Sequence, residues 1–242
     1  MSPQAEPGAG SKPKRSSGRR PSLTREEILA AALAIVDDGG LDALTMRAVA
    51  DRLGVYPNAV HWHMGSRSGL IGAVSTKVFD EIRLPPQRDV PWPDWIRAMA
   101  REIRRVMRRH HHLAQVIGTQ LVTTTGAMPF VERVLSVLTD AGFDDERLTV
   151  AYNSVIGFAI GWPALELSTE PTDQHPAWKD DFAAELAGLN PLLFPALTRA
   201  MPAVRNRAYL LRWDSGATEP LDTSFEFALD ILVAGLGAQL PG

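Results

Sequence analysis

The sequence predicts an all-α protein, with a three-helix domain of helix-turn-helix type at the N-terminus and a larger helical domain after it. Three observations carry that reading. A capping box stands at Thr24 and Glu27 ahead of an apolar stripe; glycines and prolines punctuate the next 60 residues at helix-terminating positions; and beyond Pro91 apolar residues recur at helical spacing with no alternating strand.

The first helix begins at Leu23-Thr24-Arg25-Glu26-Glu27-Ile28, where Leu23 and Ile28 also have hydrophobic-staple spacing. Its stripe is Ile28, Ala32, Ile35 and Val36, and Gly39-Gly40 supplies the left-handed residue that closes a helix. Thr45 caps a second helix to about Leu53, and Gly54 makes the turn. Pro57 opens a third helix at a position where its missing N–H costs nothing. Ser66 caps a fourth, about 66–82, ahead of Pro85-Pro86.

Further helices are expected at about 92–110, 112–120, 127–141 (ended by Gly142) and 145–168, the last kinked by Pro163. Residues 168–180 read as a loop, 181–212 as shorter helical pieces and 221–239 as a final helix. The helices at 145–168 and 221–239 are apolar on more than one face. Each must therefore be buried on two sides, between its own core and a four-helix dimer interface.

Composition narrows the function. The 242 residues are 45% hydrophobic and include no Cys, which removes disulfides, thiolate metal sites and thiol catalysis. No apolar stretch approaches the roughly 20 residues that span a bilayer, and no signal core follows the basic N-terminus. The expectation is a cytoplasmic protein with no membrane partner. The formal net charge of −3 argues against a basic nucleic-acid binder, but the charge is segregated. Residues 1–23 hold five Lys/Arg against one acid, whereas residues 113–242 hold seven against sixteen. An anionic partner is thus expected at the N-terminal end. Residues 1–22, rich in Pro, Gly, Ser and basic residues, read as a disordered arm; an extended chain of 20 residues reaches about 65 Å, enough for Arg15, Arg19 and Arg20 to enter a minor groove.

The stretch 44–64, LTMRAVADRLGVYPNAVHWHM, reads as helix, glycine turn and second short helix, with Val49, Leu53, Val55 and Val60 spaced for steep packing. Such a unit lays its second helix in the major groove. Residues 24–83 resemble the DNA-binding domain of the tetracycline-repressor (TetR) family, and the rest of the chain resembles that family more weakly. The resemblance implies a homodimeric repressor of a double-stranded operator, released by a small molecule bound in the C-terminal domain. It divides the chain into the arm 1–22, a DNA-binding domain with connecting helix 23–83, and an effector-binding and dimerisation domain 84–242.

By the same resemblance, Arg47 matches a position that reaches a base, and Arg to guanine is the commonest specific contact. Tyr56, Pro57 and Asn58 match the leading edge of the recognition helix; His61, Trp62 and His63 match a phosphate-contacting segment, with His61 where Tyr is usual. Arg67 matches a basic position opening the next helix. Plainer readings stand beside these: Trp62 as a core plug, Arg47 as a surface charge. His61 and His63 point to different sides of a helix and make a poor metal pair.

For the effector, polar or aromatic groups on apolar stripes are the candidates: Trp95, His110, Gln120, Asn153, Phe158 and Trp162. Ordinary core packing is the alternative for each. Where the tetracycline-binding members have a metal-drug-binding histidine, Arg83 stands, which implies a metal-free, apolar or amphiphilic ring system and no cofactor. Two other functions compete. A helical enzyme with a metal at His110-His111-His112 lacks any recognisable catalytic motif and has consecutive residues that chelate poorly; a nonspecific DNA-binding protein does not need so large an acidic C-terminal half.

Overall fold

The computed structural model describes residues 23–119, 125–171 and 174–240, so Arg15, Arg19, Arg20 and Gln120 lie outside the described residues. Among the described residues there are eleven α-helices and no β-strand. The first four are α1 (Arg25–Ala43), α2 (Met46–Leu53), α3 (Pro57–Met64) and α4 (Arg67–Phe79). Their ends are set by the signals already in the sequence. Thr24 Oγ1 accepts from the Glu27 amide at 3.2 Å while the Glu27 carboxylate accepts from the Thr24 amide at 2.8 Å. These bonds to the charged form hold the Glu27 carboxyl below its ordinary pKa. Thr45 and Ser66 cap α2 and α4 more simply, each hydroxyl accepting from the amide three residues on, that of Ala48 and of Gly69, and Gly54, at φ 64°, ends α2 in the left-handed conformation.

Two boundaries differ from expectation. Gly40, at φ 76° and ψ 179°, interrupts α1 without ending it, and one more turn follows to Ala43. That turn is held from outside: Arg67 donates through Nη2 to the Leu41 carbonyl at 2.7 Å and through Nε to that of Leu44 at 2.8 Å. At its far end α4 stops at Phe79, where the Glu81 and Ile82 amides bond three residues back and tighten the chain ahead of Pro85.

The remaining helices are α5 (Trp92–Arg109), α6 (Ala114–Thr119), α7 (Met128–Asp140), α8 (Asp145–Glu166), α9 (Trp178–Ala187), α10 (Pro195–Val204) and α11 (Asp222–Gly237), with short 3₁₀ turns at His111–Leu113 and Thr125–Ala127. α9 begins inside the expected loop, and Asp180 and Asp181 in its first turn complement the helix dipole. α8 runs through Pro163 to Glu166 unbroken, with the proline only in its last turn. By length and composition α8 is also apolar enough to cross a membrane, contrary to the sequence reading. Here it packs on α5, α6, α7 and α11.

Two hydrophobic cores result. The first, with Ile28, Val36, Leu44, Val49, Val60, Leu70 and Val74, belongs to α1–α4. The second gathers Trp95, Met99, Ile103, Leu138, Val155, Phe225 and Leu229 from α5, α7, α8 and α11. α5 serves both: Val106 is buried in the first core and Met107 in the second. Leu113 joins the first as well. The two halves therefore meet along a packed seam, through which movement in one can reach the other.

Candidate functional site

The apolar side of α3 is spent on the core through Val60 and Met64. Its other side is unusual for what it leaves in solvent: Tyr56 is 86% and Trp62 82% exposed, and Pro57, Asn58 and His61 are exposed beside them. The plug reading of Trp62 is thereby removed, since an indole that filled the core would be covered. Its ring stands edge-on to His63 at 4.7 Å. His61 Nδ1 lies 3.4 Å from the Gly65 carbonyl, and the His63 carbonyl accepts from Arg25 at 3.5 Å.

Arg47 projects from α2 with its side chain 85% exposed, and Asp51 one turn on is 3.7 Å from its Nε. The Arg67 guanidinium is committed to capping the last turn of α1, with two of its nitrogens on backbone carbonyls. Arg52 pairs with Asp38 and Lys77 with Glu26. The face that could meet an anion thus combines two aromatic rings, Asn58, two imidazoles and Arg47 on a short helix pair. Hydrogen bonding to base edges and to phosphate is within its chemistry.

Among the effector candidates the structure separates core from cavity. Trp95 is fully buried, and its indole donates to the Pro85 carbonyl at 3.1 Å, so it is a core residue. His110 is 3% exposed, and its Nδ1 lies 2.9 Å from an Asp37 oxygen at the end of α1. Its Nε2 is 3.3 Å from Glu81 without hydrogen-bond alignment. A histidine at the end of α5 is therefore held by carboxylates from α1 and from the turn after α4. Asn153 is exposed: Ala151, Val155 and Ala159 take the buried side of α8, and two residues on from Ala151 the chain faces outward. The His111 and His112 rings lie 4.1 Å apart, tilted by 39°, and burial first, then the neighbouring His112, lowers the His111 pKa. No group of three His, Cys, Asp or Glu arranged for a metal occurs among the described residues.

Phe158 and Trp162 line none of the cavities described here, but Trp162 packs against a residue that does. Phe158 stacks on Phe225 at 5.5 Å, and Trp162 meets Tyr209 edge-on at 5.6 Å. Tyr209 lines a space of about 580 Å³ between the end of α8, α9 and residues 209–215. Tyr209, Arg212, Trp178 and Trp213 were not foreseen. Their only signal was several aromatics in a stretch otherwise read as loop and short helices. Other cavities lie between α4 and α7, about 750 Å³ beside Phe79, Arg83 and Phe130, and between α1 and the 3₁₀ turn, about 600 Å³ beside Gly40 and His112.

The outer faces of α8 and α11 leave Val150, Leu165, Phe227 and Ile231 exposed. Gly157, Gly161 and Gly235 lie where an added Cβ meets nothing of this chain within 4 Å. Such a face suits close approach by another helix pair.

Known proteins resemble the chain along most of its length. Residues 28–74 match the family description "Bacterial regulatory proteins, tetR family", and residues 84–240 match "Tetracyclin repressor-like, C-terminal domain". A regulator of helix-turn-helix type from Saccharopolyspora erythraea is 29% identical over 227 residues, covering 94% of this chain and 90% of its own. The class C tetracycline repressor of Escherichia coli is 28% identical, covering 88% of this chain and 90% of the repressor. Among solved structures, ActR of Streptomyces coelicolor in complex with actinorhodin superposes with a TM-score of 0.71 at 28% identity, covering 91% of this chain and 99% of ActR.

Proposed function

The chain belongs to the TetR family of transcriptional regulators, and on that premise we propose that it is a DNA-binding repressor released from its operator by a small amphiphilic molecule. It acts as a homodimer in the cytoplasm, through binding and without catalysis. Residues 1–22 form the basic arm, 23–83 the DNA-binding domain and 84–242 the effector and dimerisation domain. The observation that carries the reading is the outward face of α3, which spends Tyr56 and Trp62 on solvent while its other side is buried. The ActR structures with actinorhodin and with (S)-DNPA support a small-molecule effector, because the likeness to both extends over nine-tenths of this chain.

In the dimer, α8 and α11 of one protomer pack against the same helices of its partner, and each protomer presents α3 to one of two successive major grooves. These lie about 34 Å apart, so a small rotation of the DNA-binding domains breaks the match. Arg47 and Asn58 read bases; Tyr56, His61, Trp62 and His63 meet the backbone and flanking edges; and Arg15, Arg19 and Arg20 reach the minor groove. α5 transmits the switch, because it is buried in both cores and ends at His110 between Asp37 and Glu81.

The test is a footprint on the DNA upstream of the protein's own gene, against random-sequence competitor. A protected site that resists the competitor is expected. Equal loss to both DNAs points to nonspecific binding, and no protection refutes the regulator reading.

His110 latches the end of α5 to α1 through Asp37. His110→Ala leaves the Asp37 carboxylate without its buried partner and costs about 1–3 kcal/mol. Because the residue ties the end of α5 to α1, the variant is expected to melt in two calorimetric transitions where the parent protein is expected to melt in one. One undivided transition at the original midpoint would mean that the apolar seam alone holds the halves together.

A further inference from the structure

We propose that Arg67 is a positioning residue for operator recognition: its guanidinium ties the two ends of the helix-turn-helix together and holds α3 in place without itself contacting DNA. The inference rests on the reading of α3 as the helix that meets the operator. It gives Arg67 a role other than the anion contact that its place in the sequence implies.

The chain enters the helix-turn-helix at Leu44 and leaves it at Ser66. Between these points lie Arg47, Tyr56, Asn58, His61, Trp62 and His63, which form the outward face. A unit attached to its support at two ends is only as fixed as the distance between those ends. Arg67 spans that distance. It is the first residue of α4, and its Nε donates to the Leu44 carbonyl at 2.8 Å while its Nη2 donates to that of Leu41 at 2.7 Å.

The entry depends on this tie. Gly40 departs from helical geometry, so residues 41–43 stand as one isolated turn, and an isolated turn is unstable by itself. Its carbonyls form the negative end of a helix, for which a charged fork of N–H groups is a well-matched donor. Leu44 is fully buried, and Thr45 beside it caps α2 by accepting the Ala48 amide at 3.0 Å. The direction of α2 therefore starts from the residue that Arg67 holds.

The exit is fixed by contact. A Cβ on Gly69 would stand 2.6 Å from the Met64 carbonyl oxygen, so only glycine lets the first turn of α4 lie this close to the end of α3. Ser66 accepts the Gly69 amide at 3.1 Å and keeps that turn in register. The start of α4 is thus joined to α3 by packing and to the start of α2 by Arg67.

The same geometry opposes a phosphate contact. Two of the three guanidinium nitrogens face inward onto carbonyls, and the planar fork that would grip a phosphate is the one already used.

The experiment titrates labelled operator and random-sequence DNA with the full-length parent, Arg67→Met and Arg67→Lys over a range of salt concentrations, well below each melting midpoint. The parent's preference for operator tests the underlying reading, and the variants test the tie. Arg67→Met is expected to weaken operator binding about tenfold or more, the scale of lost charged hydrogen bonds. Random-DNA affinity and the slope of log affinity against log salt should stay nearly constant. Arg67→Lys keeps the charge but has no planar fork, and should recover less than about half of the loss on a logarithmic scale. A phosphate contact behaves oppositely: both DNAs weaken alike, the slope shrinks by about 0.9 per protomer, and lysine restores both. That pattern overturns the proposal, as does parental operator affinity in Arg67→Met. Amide hydrogen exchange supplies a readout without DNA, expected to quicken several-fold across residues 41–64 in Arg67→Met and to stay constant in α5; unchanged exchange also overturns the proposal. Should Arg67→Met fail to fold by circular dichroism, Arg67→Lys carries both measurements, and parental exchange and affinity in it are the overturning result. Because exchange is read without DNA, failure here is distinct from failure of the footprint.

Discussion

Replacing Arg47 by alanine is expected to weaken operator binding by about 1–3 kcal/mol per half-site, or roughly 2–6 kcal/mol for the dimer. The expectation follows from what Arg47 does in the free protein, which is very little. Its side chain is 85% exposed, and its ion pair with Asp51 spans 3.7 Å between two solvated groups. A pair of that kind contributes at most about 1 kcal/mol to stability. The thermal midpoint should therefore stay nearly constant while fluorescence anisotropy records the loss on operator DNA. The binding partner is identified by a second titration with random DNA. A base contact lowers operator affinity far more than random affinity, whereas a phosphate contact lowers both alike. Unchanged operator affinity would place recognition elsewhere on the surface.

Replacing Glu166 by alanine should have an effect of similar size, this time on folding. The Glu166 side chain is fully buried and that of Arg104 is 9% exposed. Removing the carboxylate strands the guanidinium beside the Phe225 ring, 4.5 Å from its centroid, and leaves the Leu221 amide without its acceptor. Burial opposes the Arg104 charge, but its bonds to Glu166 and Asp222 more than offset that cost and hold it firmly protonated. Breaking such a pair costs about 3–5 kcal/mol, because one charge remains buried without compensation. Asp222, 2.7 Å from Arg104 and largely exposed, compensates in part and favours the lower end of the range. Urea unfolding at fixed protein concentration reads the change. The double variant Glu166→Leu with Arg104→Met should recover most of it, since removing both charges removes the mismatch. A double variant as unstable as the single would instead assign the loss to packing.

The two outcomes fall in regions of different legibility. Around Arg47 the chain announces its structure through contacts three or four residues apart: Thr24 with Glu27, Thr45 with Ala48 and Ser66 with Gly69. The outward set on α3 follows from the same local rule, because Val60 and Met64 mark the buried side and the rest must face away. Even here tertiary contacts adjusted the ends. Arg67, expected to meet an anion, caps a turn of α1 more than twenty residues away in sequence.

Beyond α4, helices remained legible but the purpose of their polar residues did not. A histidine on an apolar stripe reads as a ligand contact until its partner is seen, and the partner of His110 is Asp37, 73 residues earlier. Asn153 lay in line with apolar neighbours on a helix that is apolar on several faces, so periodicity alone could not tell core from exterior. The sequence by itself determined the helix caps, the helix-turn-helix and the two apolar helices that need burial on both sides, because those depend on neighbours within a turn. The tertiary structure alone decided the Arg104–Glu166 pair, the His110 latch and the aromatic cavity, because each joins groups far apart in the chain whose pairing is set only when the helices pack.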